Sequence, residues 1–569
     1  MDAKEQLSLA LQKTIAQAFE GVDSPQDITN FLEVPPDTAM GDYAFPCFRL
    51  SKPLRMGPAQ IAQELSSAWQ DHELARAEQV GGYLNFFLNR QNFIKGITEK
   101  VLSEGDRYGS KKLPGKKMVV IDYSSINIAK RFHIGHLSTT VIGAALARIY
   151  TFLGWDVLRL NYLGDWGTQF GKMIAAYKRW GSKEMIEEGG VQALSDLYVR
   201  FHQEAEENPS LDEEGRVWFK KIEEGDPEAL TIFEHFKAMT LKDAKKVYQV
   251  LGVEFDSYQG ESFYNDKMDP VIEELREKSL LIESDGAEVV MLEEENLPPC
   301  LILKSDGATL YSTRDITSAL YRKKHYGFDK NLYVVAYQQT LHFQQVFAVL
   351  EKMGYGWAKD QCEHVAFGMV SYEGEALSTR RGNVIYLDEL LEKAQEKALD
   401  ILEEKNPDMD DKDTVARQVG VGAVVFSTLF NQRIKDIDFW WDKALNFDGE
   451  TGPYVQYTYA RIQTLLEKGR DITAVADYDQ LTDDESQQLA LAISRFPEAV
   501  ENALNRNEPY LVTRQVVEIA KTYNKFYYEH RILTDNLGEA SARLNLSRAA
   551  AQVIQIGLGL IGVETPKEM

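Results

Sequence analysis

Residues 118–136 read MVVIDYSSINIAKRFHIGH, and this stretch decides the fold class. Residues 118–122 are apolar and lead into small polar residues, a pattern typical of a buried parallel strand. Apolar residues then recur on one face of a predicted helix over 137–149, and Gly154 follows where that helix should end. DVLRLNYLGD, at 156–165, reads as a second strand. Strand, helix and strand in this order predict the opening of a doubly wound nucleotide-binding sheet.

Two histidines stand where the predicted strand passes into the helix. His133 and His136 are three positions apart, so both imidazoles face the same way and can donate to phosphate oxygens as charge builds up. Gly135 between them has no side chain, which lets a nucleotide lie close to the backbone. The helix N-terminus adds free N–H groups and partial positive charge, which suit ATP phosphates. Alone, the pattern also fits two histidines that make only local contacts.

The composition indicates an ordinary soluble globular protein. The chain has 569 residues, 44% of them hydrophobic and 27% charged. Its first twenty residues predict an amphipathic helix rather than a signal peptide, and the most apolar stretch, VGVGAVVFSTLF, is too short to cross a bilayer. We therefore expect a cytoplasmic protein without a membrane span. Cys47, Cys300 and Cys362 are far apart, which favours ordinary thiols over a zinc site or disulfides.

The net charge opposes one class of ligand. At −25, the chain as a whole argues against binding a polyanion. A large folded RNA can still be held by local basic patches and by its shape. The charge therefore leaves the question of RNA binding open.

Several blocks resemble the class I aminoacyl-tRNA synthetases in their arginyl form. IDYSSINIAKRFHIGHLSTTVIGAAL, at 121–146, is similar to a signature that arginyl enzymes usually write SSPNIAKPFHIGHLRST. NYLGDWGTQFGK at 161–172, YSTRDITSALYR at 311–322, QQTLHFQQV at 338–346 and FGMVSYEGEALSTRRGNVI at 367–385 follow in the family's order. GDWGTQFG and YSTRDI are quite specific to arginyl enzymes, whereas the histidine tetrad marks only the superfamily. The resemblance covers essentially the whole chain.

The resemblance implies an α/β fold with three kinds of domain. We expect an N-terminal α+β domain over 1–110 that contacts tRNA, and a Rossmann-type catalytic domain with a doubly wound parallel sheet over 115–385. A helical insertion should occupy about 181–300. A helical stem over 386–450 and an all-α anticodon-binding domain over 451–569 should follow.

The implied activity is that of an arginine–tRNA ligase. Such an enzyme activates L-arginine with ATP and Mg²⁺, then esterifies it onto the terminal adenosine 2′-hydroxyl of its tRNA. Mg²⁺ is expected on the phosphates, with no metal ligated by the protein itself, and the family leans monomeric. Catalysis would be mostly positioning and electrostatics, with Lys130, His133 and His136 holding the reacting groups in line.

A guanidinium needs a fixed carboxylate and an oriented acceptor, because it is planar, charged and rich in donors. Tyr311 and Asp315 are four apart in a predicted helix, hence on one face, and the resemblance assigns this pair to the guanidinium. By the same resemblance Asn127 and Gln339 hold the α-amino and α-carboxylate groups. Asp122, at the end of the first strand, is a weaker candidate for the same pocket. For Asp315 the alternative is a surface salt bridge with Arg314 or Arg322.

The remaining nucleotide contacts also follow from the resemblance. His342 is directed at ATP, with a packed histidine as the alternative, and Met369 and Val370 offer backbone groups to adenine. LSTRRGN, at 377–383, occupies the place of the mobile KMSKS loop, where Ser378 and Arg380 would act on the pyrophosphate.

The sequence departs from the family pattern at several positions. Ala376 and Thr379 stand where lysines are usual in or beside the KMSKS loop, so Lys130 is expected to take over one of them. Ile126 and Arg131 replace usual prolines, Ser138 a usual arginine and Ala144 a usual acidic residue.

RNA contacts are the least constrained predictions. Aromatic faces stack on splayed-out bases, which suggests Tyr523 and Tyr527 in the C-terminal region, although most aromatic residues there should be core. Tyr43, Phe45 and Asn85 are guesses for the N-terminal region.

Three other functions remain open: a degenerate synthetase copy that binds tRNA or arginine without turnover, a nucleotidyltransferase of small metabolites, and a synthetase for another amino acid. The paired Tyr311 and Asp315 oppose the last.

Overall fold

The computed structural model describes residues 3–19, 28–305, 307–376 and 385–569. The N-terminal part is an antiparallel three-stranded sheet packed against helices. Its elements are α1 (Ala3–Ala18), α2 (Ile28–Phe31), β1 (Tyr43–Pro46), α3 (Phe48–Leu54), α4 (Pro58–Ala68), β2 (Ala75–Val80), β3 (Tyr83–Leu88) and α5 (Arg90–Glu104). The strand order is β1-β3-β2. β3 follows the Gly81–Gly82 turn, as the sequence predicts, because Gly81 adopts a positive φ of 58°.

The central part is built on a four-stranded parallel sheet. In chain order its elements are β4 (Met118–Asp122), α6 (Leu137–Phe152), β5 (Asp156–Leu160), α7 (Thr168–Trp180), α8 (Lys183–Glu207), α9 (Ser210–Glu223), α10 (Pro227–Val250), α11 (Asp269–Glu277), β6 (Leu281–Ser284), β7 (Ala287–Val290), β8 (Cys300–Leu303), α12 (Tyr311–Tyr326), β9 (Lys330–Tyr333), α13 (Thr340–Lys352), α14 (Trp357–Gln361) and β10 (Cys362–His364). The sheet order is β10-β9-β4-β5, with every pairing parallel. The predicted Rossmann-type sheet is confirmed.

The strand order of the parallel sheet determines where a ligand-binding crevice can form. β4 lies between β5 and β9, so successive connections run from β4 to opposite sides of the sheet. Such a switch point opens a crevice beyond the carboxyl ends of the two central strands. Here those ends are Asp122 and Tyr333, which are register partners. α6 starts next to the histidines and packs in the largest core cluster. The apolar face predicted for it is buried throughout and consists of Leu137, Val141, Ala145 and Ile149.

The region from Gly181 to Pro299 is less purely helical than predicted. α8 to α10 supply its helical part, but β6, β7 and β8 form a separate antiparallel sheet. These strands are only four residues long, too short to give a clear alternating pattern within the acidic sequence. Residues 363–370, EHVAFGMV, also read as one buried strand from the sequence, but β10 ends at His364 and the next strand begins only at Val370.

The chain then enters a small mixed sheet and a helical C-terminal region. Its elements are β11 (Val370–Tyr372), β12 (Glu375–Ala376), α15 (Leu387–Lys405), α16 (Lys412–Thr428), β13 (Ile437–Phe439), α17 (Trp441–Ala444), α18 (Gly452–Lys468), α19 (Asp484–Ser494), α20 (Phe496–Arg506), α21 (Tyr510–Glu529) and α22 (Leu537–Ile561). β11 pairs with both β12 and β13.

One helix in the described part of the chain is long and apolar enough to cross a membrane. It is α22, and 72% of its most apolar window is buried inside the protein. Its apolar residues pack against α18 and α21 in the core. α22 is therefore a core helix of the C-terminal bundle.

Candidate active site

The two histidines form a reciprocal cap at the start of the helix that leads into α6. The Nδ1 atom of His133 accepts a hydrogen bond from the backbone N–H of Gly135 at 3.1 Å. The Nδ1 atom of His136 accepts one from the backbone N–H of His133 at 3.2 Å. The ring centroids are 4.0 Å apart. A Cβ on residue 135 would lie 2.8 Å from the His133 ring, so glycine is required for this arrangement.

These contacts fix the protonation of both rings. Because each Nδ1 accepts from a backbone N–H, the proton of a neutral ring must sit on Nε2. Burial lowers the pKa of His136 to about 3, and the charge of His133 adds to this effect. Burial and nearby Lys130 also lower the pKa of His133. Both rings are therefore neutral near pH 7, and each presents an Nε2–H donor.

A cavity of about 350 Å³ adjoins His136. Asn127, Lys130 and His136 all line it, so the structure brings together three of the predicted site residues. Asn127 is held in place by Gly164 of the GDWG block, because its backbone forms a parallel bridge with that glycine. A Cβ on residue 164 would lie 2.3 Å from Oδ1 of Asn127.

Asp315 lies one helical turn into α12 and is paired with His342 of α13. Nε2 of His342 is 2.6 Å from Oδ2 of Asp315, and the two side chains are 22% and 17% exposed. The alternative predicted for Asp315, a salt bridge with Arg314 or Arg322, is wrong. Arg314 donates to Asn265 at 3.3 Å, and Arg322 pairs elsewhere.

Asp122 is the partner of Arg322, which removes it from the substrate pocket. Nη2 of Arg322 donates to Oδ2 of Asp122 at 2.7 Å, and Ser125 donates to its other oxygen at 3.1 Å. The Arg322 side chain is fully buried. The prediction that Asp122 contacts arginine is wrong, since its carboxylate already satisfies a buried guanidinium of the chain itself.

Sequence reasoning missed a second carboxylate near Asp315. Glu261 is 9% exposed. Burial raises the pKa of Glu261 to about 8; Arg314 opposes this rise, whereas Asp315 and Asp165 add to it. The Tyr162 hydroxyl is also buried and has no hydrogen-bond partner among the described residues. Nothing local in the sequence marks Glu261 or Tyr162, because the insertion carries Glu261 back to the sheet only in the folded chain.

The GDWG block explains how Glu261 is held. Asp165 is fully buried and accepts from Lys237 at 2.7 Å and from the Ser262 backbone and hydroxyl at 2.8 and 2.7 Å. The backbone N–H of Glu261 donates to the Leu163 carbonyl at 3.0 Å. Asp165 therefore fastens the turn that contains Glu261 against the end of β5.

A family model described as the catalytic domain of class I (R) tRNA synthetases matches residues 97–441. The chain belongs to the class I arginyl-tRNA synthetase family. A model of the arginyl tRNA synthetase N-terminal domain matches residues 6–88, and one of the DALR anticodon binding domain matches residues 455–569.

Individual relatives agree with the family. The arginine–tRNA ligase of Alkaliphilus metalliredigens is 50% identical over 572 residues, covering 100% of both chains. That of Clostridium perfringens is 50% identical over 547 residues, covering 96% of this chain and 97% of its own. The solved Thermus thermophilus arginyl-tRNA synthetase covers 100% of both chains with a TM-score of 0.82 and 27% identity. The Plasmodium falciparum enzyme, at 22% identity and a TM-score of 0.79, shares the fold and covers 100% of this chain and 99% of its own.

The other predicted arginine contacts of this family member lie at the same edge of the sheet. Tyr311 is the first residue of α12 and is 61% exposed, so its ring is accessible. Gln339 is exposed at the turn that precedes α13. Their contacts with arginine stay predictions.

The predicted adenine contacts need one correction. The backbone N–H of Met369 donates to Asp436 at 2.7 Å, and its carbonyl accepts from Ile437 at 2.8 Å. The Met369 N–H is therefore occupied by Asp436, contrary to the prediction that it is offered to adenine. Val370 begins β11 instead of ending a strand of the parallel sheet; its contact with adenine stays a prediction. Ser378 and Arg380 lie outside the described residues.

Two of the residues that depart from the family pattern lie in α6, and both are buried. Ser138 and Ala144 are 1% and 3% exposed. Neither side chain faces the cavity beside the histidines. Small residues therefore fill these two places in the core of the chain.

Three of the five guessed RNA contacts are wrong. Tyr43, Phe45 and Tyr523 are 4%, 0% and 0% exposed, so none presents a ring face on which a base could stack. Asn85 is 3% exposed, and its Oδ1 has no partner among the described residues. Tyr527 is 38% exposed, and its role stays a prediction.

Proposed function

We propose that the crevice beyond β4 and β9 carries out the two steps of arginine–tRNA ligation. One observation supports this most strongly: neutral Nε2–H donors and Lys130 lie between the end of β4 and the start of α6, and two carboxylates, Asp315 on α12 and Glu261 near the end of β5, influence each other electrostatically. A triphosphate suits the first set, and a cationic side chain suits the second.

The first step is adenylation. An oxygen of the arginine α-carboxylate attacks the α-phosphorus of ATP, a new P–O bond forms, and the bond to pyrophosphate breaks. His133 and His136 donate from Nε2 to phosphate oxygens whose charge increases in the transition state. Lys130, exposed in the adjoining cavity, supplies the cation. Mg²⁺ enters with ATP as part of the substrate.

The arginine side chain is recognised at the other end of the crevice. Asp315 accepts from the guanidinium, and Glu261 provides a second acceptor once it is ionised. The unpartnered Tyr162 hydroxyl supports this placement, since a buried polar group without a partner calls for a ligand donor or acceptor. Asn127 and Gln339 orient the α-amino and α-carboxylate groups.

In the second step, the 2′-hydroxyl of the terminal tRNA adenosine attacks the carbonyl carbon of arginyl-adenylate. An ester bond forms, AMP leaves, and the hydroxyl proton passes to the departing phosphate or solvent. The residues that align the two reactants contribute chiefly by holding them in one geometry.

We propose two RNA-binding surfaces, each with exposed aromatic residues next to a cationic side chain. In α3, Phe48 is 54% exposed and packs edge to face on Tyr83 at 5.5 Å, one helical turn from Lys52. In the C-terminal region, the Arg461 guanidinium lies 4.9 Å from the Tyr457 ring and 5.5 Å from the Tyr527 ring. Local cations and ring faces of this kind suit RNA despite the negative net charge.

We further propose that the protein is a cytoplasmic monomer.

The test is charging of total tRNA with each of the twenty amino acids, in the presence of ATP and Mg²⁺. Arginine alone should be esterified. Charging with a different amino acid would overturn the pocket assignment, and tRNA binding without charging by any amino acid would favour the degenerate-copy alternative.

A further inference from the structure

Arg131 makes a cluster of contacts next to the histidines. Its Nη2 donates to Asp388 at 3.1 and 3.0 Å and to Glu389 at 3.0 Å, and its Nη1 donates to Gln192 at 3.2 Å. The guanidinium carbon lies 3.5 Å from the centroid of the Tyr386 ring. We call these five residues the Arg131 cluster.

The cluster flanks a backbone connection that includes a histidine of the site. His133 and Tyr386 form an antiparallel bridge. The N–H of Ile134 donates to the Ile385 carbonyl at 2.9 Å, and the N–H of Leu387 donates to the Phe132 carbonyl at 2.9 Å. The chain that carries His133 is therefore joined directly to the start of α15.

The geometry of the cluster requires an arginine side chain at position 131. One planar guanidinium satisfies two carboxylates and an amide while stacking on a ring, which the single ammonium of lysine cannot do. The Arg131 side chain is 19% exposed, so solvent screens its pairs less than it screens fully exposed ones. The cluster joins three elements: the histidine segment, α8 through Gln192, and α15.

We propose that Arg131 is a positioning residue that holds His133 and His136 in register with the beginning of α15. Its guanidinium is already occupied by Gln192, Asp388 and Glu389, so we assign it no direct contact with the reacting groups. Its contribution is to keep the chain that carries the two Nε2–H donors in one place relative to residues 385–389. The inference rests on the proposed roles of the two histidines.

The experiment compares Arg131→Lys with a matched control, Arg159→Lys. Arg159 forms a similar pair with Asp256, at 3.0 and 2.8 Å, on the edge strand β5 and outside the proposed catalytic set. Arginine-dependent ATP–pyrophosphate exchange with tRNA gives kcat and the KM values, and thermal unfolding gives the midpoint. Arg131→Lys should lower kcat by about 10-fold or more, the scale of a small misplacement of reacting groups. Its arginine KM should stay close to that of the wild type, and its midpoint close to that of Arg159→Lys.

A second set of variants separates positioning from simple stability. Asp388→Asn combined with Glu389→Gln should lower kcat as Arg131→Lys does, and adding Arg131→Lys should cause little further loss, because the residues act as one unit. Equal kcat values for Arg131→Lys and Arg159→Lys would overturn the inference. So would a lowered midpoint with unchanged kcat, or fully additive losses. Lack of exchange by the wild-type enzyme would instead refute the proposed function.

Discussion

Nε2 of His342 lies 2.6 Å from Oδ2 of Asp315, which joins a residue expected at ATP to one expected at arginine. The two residues are 27 positions apart and come from neighbouring helices, α12 and α13. Among the residues that the structure describes, no hydrogen bond occupies the second carboxylate oxygen of Asp315, so it can accept one from a ligand. The contact also makes His342 part of the support for the arginine pocket.

Asp315→Asn should remove the fixed anion that faces the guanidinium. Loss of one partner of a partly buried charge pair costs about 2–5 kcal/mol, so the arginine KM in pyrophosphate exchange should rise by about 30-fold or more. The KM for ATP should change little. Unchanged arginine KM would show that the guanidinium is bound elsewhere.

His342→Asn tests whether that histidine serves arginine or ATP. The substitution removes the Nε2 contact that orients Asp315, so we expect a higher arginine KM with a nearly constant ATP KM. The rise should be smaller than that in Asp315→Asn, since the carboxylate itself is retained. A selective increase in the ATP KM would restore the assignment made from the sequence.

Arginine binding should release a proton from Glu261. The pKa of Glu261 is raised to about 8, so the group is mostly protonated near pH 7 in the free enzyme. A guanidinium beside it favours the ionised form and lowers its pKa, so a proton leaves at pH values below 8. Above the raised pKa the group is already ionised, and the release should disappear.

Calorimetry of arginine binding in two buffers of different ionisation enthalpy measures this release. At pH 7 the wild type should release up to one proton per arginine in excess of Glu261→Gln, which cannot ionise at this position. Equal proton release by the wild type and by Glu261→Gln would rule out the proposed role of Glu261.

Much of the fold follows from local patterns, whereas the site depends on distant parts of the chain. The first strand, the helix after it and the two histidines can all be predicted from residues 118–149 alone. The apolar periodicity and the need for glycine at position 135 both depend only on neighbouring residues. Glu261 could not be found in this way, because it comes near Asp315 only when the insertion folds back onto the end of β5. The errors at Tyr43 and Phe45 have a related cause. Both lie on the short strand β1, whose residues are buried on both faces, so no alternation marks an exposed side.

The central claim is that Lys130 and the two neutral histidines bind the phosphates of ATP during adenylation. Arginine-dependent ATP–pyrophosphate exchange, with tRNA present, tests it most directly in Lys130→Ala. Lys246→Ala is the matched control, because Lys246 lines the same cavity but pairs with Asp243 at 2.9 Å. The account predicts a loss of about 10²-fold or more in Lys130→Ala, the scale of removing one transition-state donor, and near wild-type exchange in Lys246→Ala. Unchanged exchange in Lys130→Ala, or equal losses in both variants, would contradict it.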